Sequence, residues 1–145
     1  MKRWLDSPEV NVAIFAFLLN FVWEFAQVPL FKGMPASAHW QAILVCARAT
    51  VGDVVIALVA FWTVTAACRS RRWILRATRS QVAGFIAVGV SITIVLEWLA
   101  TQVLQRWAYA ESMPTVPGLA VGVSPLLQWL LLPPLVVWFV RRQLT

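Results

Sequence analysis

A bundle of four membrane-spanning α-helices is the fold class that this sequence predicts, and three observations predict it. Hydrophobic residues make up 61% of the chain and charged residues only 12%, where a soluble domain carries about 25% charged residues. The mean hydropathy is +0.77. The apolar residues gather into four runs, 10–31, 42–68, 82–104 and 119–140, each long enough for the roughly 20 residues a helix needs to cross a bilayer. The expectation is one all-α integral membrane domain over residues 1–145, a polytopic four-helix bundle with a kinked fourth helix.

The first run is introduced by Ser7-Pro8-Glu9. Ser7 suits a helix cap and Pro8 suits the first turn, where its missing N–H is no loss. Pro29 and then Gly33-Met34-Pro35 close the helix. Ala36-Ser37-Ala38 has the small residues of a signal-peptidase site, but Glu24 and Lys32 separate it from the apolar core, so a retained span is expected. The second run contains Arg48, expected to snorkel outward, and Asp53, which has no such escape. Gly52 beside Asp53 is read as a place of close helix approach. Cys46 and Cys68 fall about 33 Å apart along this helix at 1.5 Å per residue, too far to pair within one chain.

The third run carries Ala83, Gly84, Ala87 and Gly89 early, suited to tight packing, and turns polar at Glu97, Thr101 and Gln102. Trp107 and Tyr109 beyond it suit an interfacial belt, as do Trp4, Trp40, Trp73 and Trp138, whereas Trp23, Trp98 and Trp129 are deeper. The fourth run is interrupted by Ser124-Pro125, Gln128 and Pro133-Pro134. Each proline removes a backbone donor, so bending is expected here, with Pro125 bending the helix at the level of the polar residues.

Basic residues set the orientation. Of the twelve, Lys2, Arg3, Arg69, Arg71, Arg72, Arg76, Arg79, Arg141 and Arg142 fall at the N-terminus, between spans two and three, and at the C-terminus. Both termini are therefore expected in the cytoplasm, with the protein in the inner cell membrane. The net charge of +6 is explained by these flanks, so nucleic acid is not an expected partner; the bilayer is.

Orientation turns position into depth. Asn20, Glu24 and Gln27 stand at i, i+4 and i+7 on one helix face. With Asp53, Glu97, Thr101 and Gln128 they all fall in the outer half of their spans, while the inner half carries almost nothing that ionises. A carboxylate in a span costs roughly 2.5–3.5 kcal/mol on insertion scales, so a polar cavity open to the extracytoplasmic side is expected. Candidate acid-base groups are Glu97, Glu24 and Asp53; candidate ligand-binding residues are Asn20, Glu24, Gln27, Asp53, Glu97, Thr101, Arg106 and Gln128. Arg106 follows Glu97 by nine residues and is expected to fold over the cavity mouth. A glutamate followed by Ala and Gln-Val recurs at Glu24 and Glu97, as a parallel duplication of two-helix units would produce, placing the two carboxyls opposite each other.

Several chemistries lack their residues. His39 is the single histidine and adjoins Trp40, so no metal site is expected; no phosphate-binding glycine loop and no serine with a base at a credible spacing is present. No cofactor is identified, and the composition is compatible with a homo-oligomer. The leading expectation is binding of a small amphiphilic or isoprenoid-like molecule, with acid-base chemistry on a double bond as the reaction this inventory permits. A proton-coupled or cation transporter is the alternative. An accessory subunit of a larger membrane complex is the third.

The distribution of basic residues makes a direct prediction. Reporter fusions after Arg72 and after Thr145 should read out as cytoplasmic, and fusions at Ala38 and Ser112 as external. A cytoplasmic Ser112 would remove the common depth of the polar residues.

Overall fold

The structure, a computed structural model, describes residues 2–145, with side chains from Trp4 onward. It is all-helical, and four of its helices are long and apolar enough to cross a membrane. A short α1, Lys2–Leu5, precedes α2, Pro8–Gln27, which tightens into a 3₁₀ turn at Val28–Leu30. Then come α3, His39–Cys68, and α4, Arg79–Trp98, which widens into a π-helical turn at Leu99–Val103. Last is α5, Val123–Leu144. The helices pack in a square: α2 and α4 each lie against α3 and α5, so α2 faces α4 across one diagonal.

The ends are made by specific local interactions. Pro8 takes the first position of α2, but Ser7 does not cap it; its hydroxyl donates to Glu9 Oε2 at 2.7 Å. Asn11, buried, ties α1 to α2 by donating to the carbonyls of Leu5 and Ser7. α4 begins with a full capping box, in which Thr78 Oγ1 accepts from the Gln81 N–H and the Gln81 side chain accepts from the Thr78 N–H. Glu9 accepts from Arg71 Nε at 2.6 Å, joining the start of α2 to the arginine-rich loop after α3.

That loop is anchored inward by Trp73. The ring is only 4% exposed, stacks on Phe61, meets Phe85 edge-on, and donates its indole N–H to Thr65 Oγ1. An interfacial place for Trp73 is thus corrected: a 3₁₀ turn, Trp73–Arg76, swings the ring under the bundle against α5. Val12, Ala16, Ala57, Phe61, Phe85 and Val136 belong to the same core.

The fourth helix differs from its expected start. Leu119–Gly122 are not helical, so Ser124 and Pro125 lie in the first turn of α5, where a missing N–H leaves no carbonyl without a partner. Pro125 therefore ends up as a helix starter and does not bend the helix midway. Pro133 and Pro134 lie well inside α5.

Close approach occurs at Gly89 rather than at Gly52, which is exposed and has nothing near it. A Cβ on Gly89 would stand 2.0 Å from Trp129 Cε3, so the buried indole of α5 lies directly on the backbone of α4. Gly89→Ala should lower stability by about 1–3 kcal/mol, the usual cost of overpacking. Combining it with Trp129→Leu should recover part of that loss; chemical unfolding in detergent micelles would measure both, and additive losses would refute the contact.

Candidate functional site

Asn20, Glu24 and Gln27 occupy successive turns of α2, and the first and last are buried. Opposite them α5 presents Ser124 and Gln128, also one turn apart and buried, because Pro125 starts the helix at this level. From the middle of α3 comes Asp53. Their common member is the side-chain amide of Gln128. Its Nε2 lies 2.7 Å from Asn20 Oδ1, 3.0 Å from Asp53 Oδ2 and 3.4 Å from Glu24 Oε1. Asn20 in turn donates to the carbonyl of Ala16, Gln27 donates to Glu24 Oε1, and Ser124 donates to Gln27 Oε1.

Six polar side chains from three helices thus form one connected network, with two carboxyls drawn to one nitrogen. A primary amide has two hydrogens and here meets three acceptors. Glu24 Oε1, the most distant of the three, also accepts from Gln27, so each of these oxygens has a donor, and no arginine or lysine pairs with either carboxyl among the described residues. Arg48 is exposed on α3, and the ion pair formed among the described residues, Arg71 with Glu9, lies at the opposite end.

Glu97 stands in a second group. It closes α4 just before the π-helical turn, a distortion often found at functional sites. Its carboxylate accepts from the Tyr109 hydroxyl, and Trp107 Nε1 lies at 3.5 Å. Thr101 turns back to the Glu97 carbonyl rather than to the carboxylate. No hydrogen bond joins Glu97 to the Gln128 network among the described residues. Arg106 is exposed and forms no ion pair with Glu97 among the described residues.

Tyr109 reaches Glu97 because the loop after α4 is folded back over the bundle. Phe31 and Tyr109 form an antiparallel bridge, flanked by Lys32 N–H to Ala108 O and Ala110 N–H to Leu30 O. Met113 and Val121 are buried beneath this loop, and Gly122 is needed there: a Cβ would lie 3.1 Å from both Met113 Sδ and Tyr109 Cε1. Burial first, and then the hydrogen bond to Glu97, push the Tyr109 phenol above its ordinary range, so it holds its proton and acts as a donor. Tyr109 as the partner of Glu97 is absent from the sequence reading, as is the part played by Ser124.

The space around the network is small. A crevice of about 10 Å³, room for a single water, borders Asn20 and Gln128 and continues between Ala16, Ala57, Phe85 and Leu132. Two buried polar atoms lack a partner among the described residues: Trp23 Nε1, next to Glu24, and Thr93 Oγ1, one turn beyond Gly89. Among the described residues no three His, Cys, Asp or Glu side chains come together as metal ligands.

Because Asn20 and Gln128 satisfy each other, their replacements should be non-additive. Gln128→Leu leaves Asn20 Oδ1 and Asp53 Oδ2 without this donor and should cost about 1–3 kcal/mol. Asn20→Leu added to it should cost clearly less than it does alone, a coupling measurable by a double-mutant cycle on micellar unfolding. Independent losses would separate the two side chains. No known family matches this chain, and neither a curated protein nor a solved structure matches it.

Proposed function

We propose that the protein is a proton-coupled or cation transporter whose ion site lies between Glu24 and Asp53. The observation that carries this is the convergence of two carboxyls, Asp53 Oδ2 and Glu24 Oε1, on the one amide nitrogen of Gln128, with no basic side chain paired to either among the described residues. Ionisable groups buried within spans mark ion and proton paths more often than other sites do. A proton shared by the two carboxyls, or a small monovalent cation held by their oxygens, balances their charge. The water-sized space beside Asn20 and Gln128 supports transfer of a proton and is far below the roughly 300–1,000 Å³ of a small-molecule pocket.

On this reading the protein sits in the inner membrane with both termini in the cytoplasm, so that the network lies in the outer half. Tyr109 and the loop around it cover the outer mouth. Pro133 and Pro134 lack the N–H groups that would bond to the carbonyls of Trp129 and Leu130. These carbonyls follow directly on Gln128, and a kink at this point would let α5 move Gln128 away from Asp53, opening the site to one side or the other. Uptake and release of the ion then alternate with that movement.

A second reading is favoured by the shape of the crevice. It has amides at one end and Ala16, Ala57, Phe85 and Leu132 beyond them, so a slender amphiphile could place its polar group at Asn20 and Gln128 if the helices part. There Glu24, Asp53 and Glu97 would supply acid-base chemistry.

The test is flux in proteoliposomes carrying an internal pH dye, with an imposed proton or sodium gradient. Wild-type protein should dissipate one of these gradients, Glu24→Gln and Asp53→Asn should each slow that by at least roughly tenfold, as expected for loss of an ion-binding carboxylate, and Glu9→Gln should leave it unchanged. No flux from wild-type protein, together with a retained amphiphile after purification, would overturn the transport reading in favour of the second.

A further inference from the structure

A wider opening in the surface lies at the arginine-rich end, far along α3 from Asp53. Between the last turns of α3 and the first turns of α4 is a groove of about 380 Å³. Its mouth is polar, with Thr78, Ser80 and Gln81, and its floor is apolar, with Val64, Gly84 and Val88. Gly84 keeps the floor open: a Cβ there would already touch Val64 Cγ2 at 3.6 Å.

The charge around this groove has one sign. Cys68 and Thr78 line it, so Arg69 and Arg79 adjoin it directly in the chain. The stretch 69–79 holds five arginines and no acid. Arg71 is taken up by Glu9, whereas Arg69, Arg72, Arg76 and Arg79 are exposed and form no ion pair among the described residues. The N-terminus of the 20-residue α4 opens at the same place, adding the positive end of its dipole. An apolar slot between two hydrophobic helices, ending in hydroxyls and uncompensated cations, is complementary to a chain with an anionic head.

We propose that this groove holds one anionic phospholipid. Its phosphate sits between Arg69 and Arg79 at the hydroxyls of Thr78 and Ser80, and one acyl chain lies along Val64, Gly84 and Val88. The site is separate from the carboxyl network and does not depend on what that network does. By lying between α3 and α4 beside the loop 69–78, the lipid fixes the arginine-rich end of the bundle.

Native mass spectrometry of the detergent-purified protein with added phosphatidylglycerol or phosphatidylcholine tests this. Wild-type protein should retain one phosphatidylglycerol in clear preference to phosphatidylcholine. The Arg69→Gln, Arg79→Gln double variant should weaken retention roughly 25-fold, about fivefold for each arginine near a headgroup. Gly84→Leu, which fills the floor and leaves every charge in place, should also lose it, while Arg141→Gln with Arg142→Gln at the same end should not. Thermal unfolding of each variant confirms that it is folded, and Gly84→Ala, a smaller filling, provides an intermediate case should the leucine variant fail to fold. Equal retention of both lipids, unchanged retention in the double variant or in both Gly84 variants, or an equal loss on removing Arg141 and Arg142 would overturn the proposal. So would a wild-type dimer that Gly84→Leu dissolves, since a second copy would then occupy the groove.

Discussion

The amide of Gln128 has to satisfy oxygens from two other helices at once, and the way the bundle is assembled follows from that requirement. Asn20 Oδ1 and Asp53 Oδ2 approach it at 2.7 and 3.0 Å from α2 and α3. In an apolar medium an unsatisfied polar group costs several kcal/mol, so the register of α2 and α3 against α5 is held to the positions at which all three side chains meet. Apolar packing between helices in a membrane is far less selective, because lipid chains compete with it on equal terms. The network therefore specifies the arrangement, and the smooth apolar faces allow it.

Gln128 can take this part only because its neighbour is fixed. Trp129 lies on the bare backbone of Gly89, so α4 presses α5 toward α2 and α3. Pro125 begins α5 one turn before Gln128, which lets Ser124 reach Gln27 while Gln128 reaches Asn20. A single glycine on α4 and a single proline on α5 thus place a side chain that touches neither of them. At the far end, Trp73 and the ion pair of Arg71 with Glu9 hold the helices in the same order with different chemistry.

Most of this site can be read along the chain, and what cannot has a common cause. The spacing of Asn20, Glu24 and Gln27 is a property of one helix, and the shared depth of Asp53 and Gln128 follows from counting along helices of alternating direction. Both are periodic signals. The partner of Glu97 is not: Tyr109 comes to it through a bridge with Phe31, a pairing between two loops that no local pattern announces. Arg106, expected over the cavity mouth from its spacing to Glu97, is exposed, and the same bridge brings Tyr109 inward in its place. α5 begins later than the apolar run for a related reason. Leu119 to Val121 continue an apolar run, yet Val121 is buried under the loop that carries Tyr109 and belongs to that loop. Trp73 likewise has the composition of an interfacial residue and the position of a core one.

The relation between the two acidic groups bears on the internal likeness of the halves. α2 and α4 lie on one diagonal and α3 and α5 on the other, the placement a duplicated pair of antiparallel helices would give. The side chains do not keep that symmetry. Glu24 is drawn into the network by Gln27 and Gln128, whereas Glu97 is drawn out of it by Tyr109. If the halves share an origin, their carboxyls now have different partners: one pair at the centre, held by side-chain amides, and one carboxyl at the rim, held by a phenol that keeps its proton. A carboxyl at the rim with such a donor ties the loop of Tyr109 to the end of α4. The physical division is therefore between carboxyls shared among three helices and one carboxyl that fastens a loop.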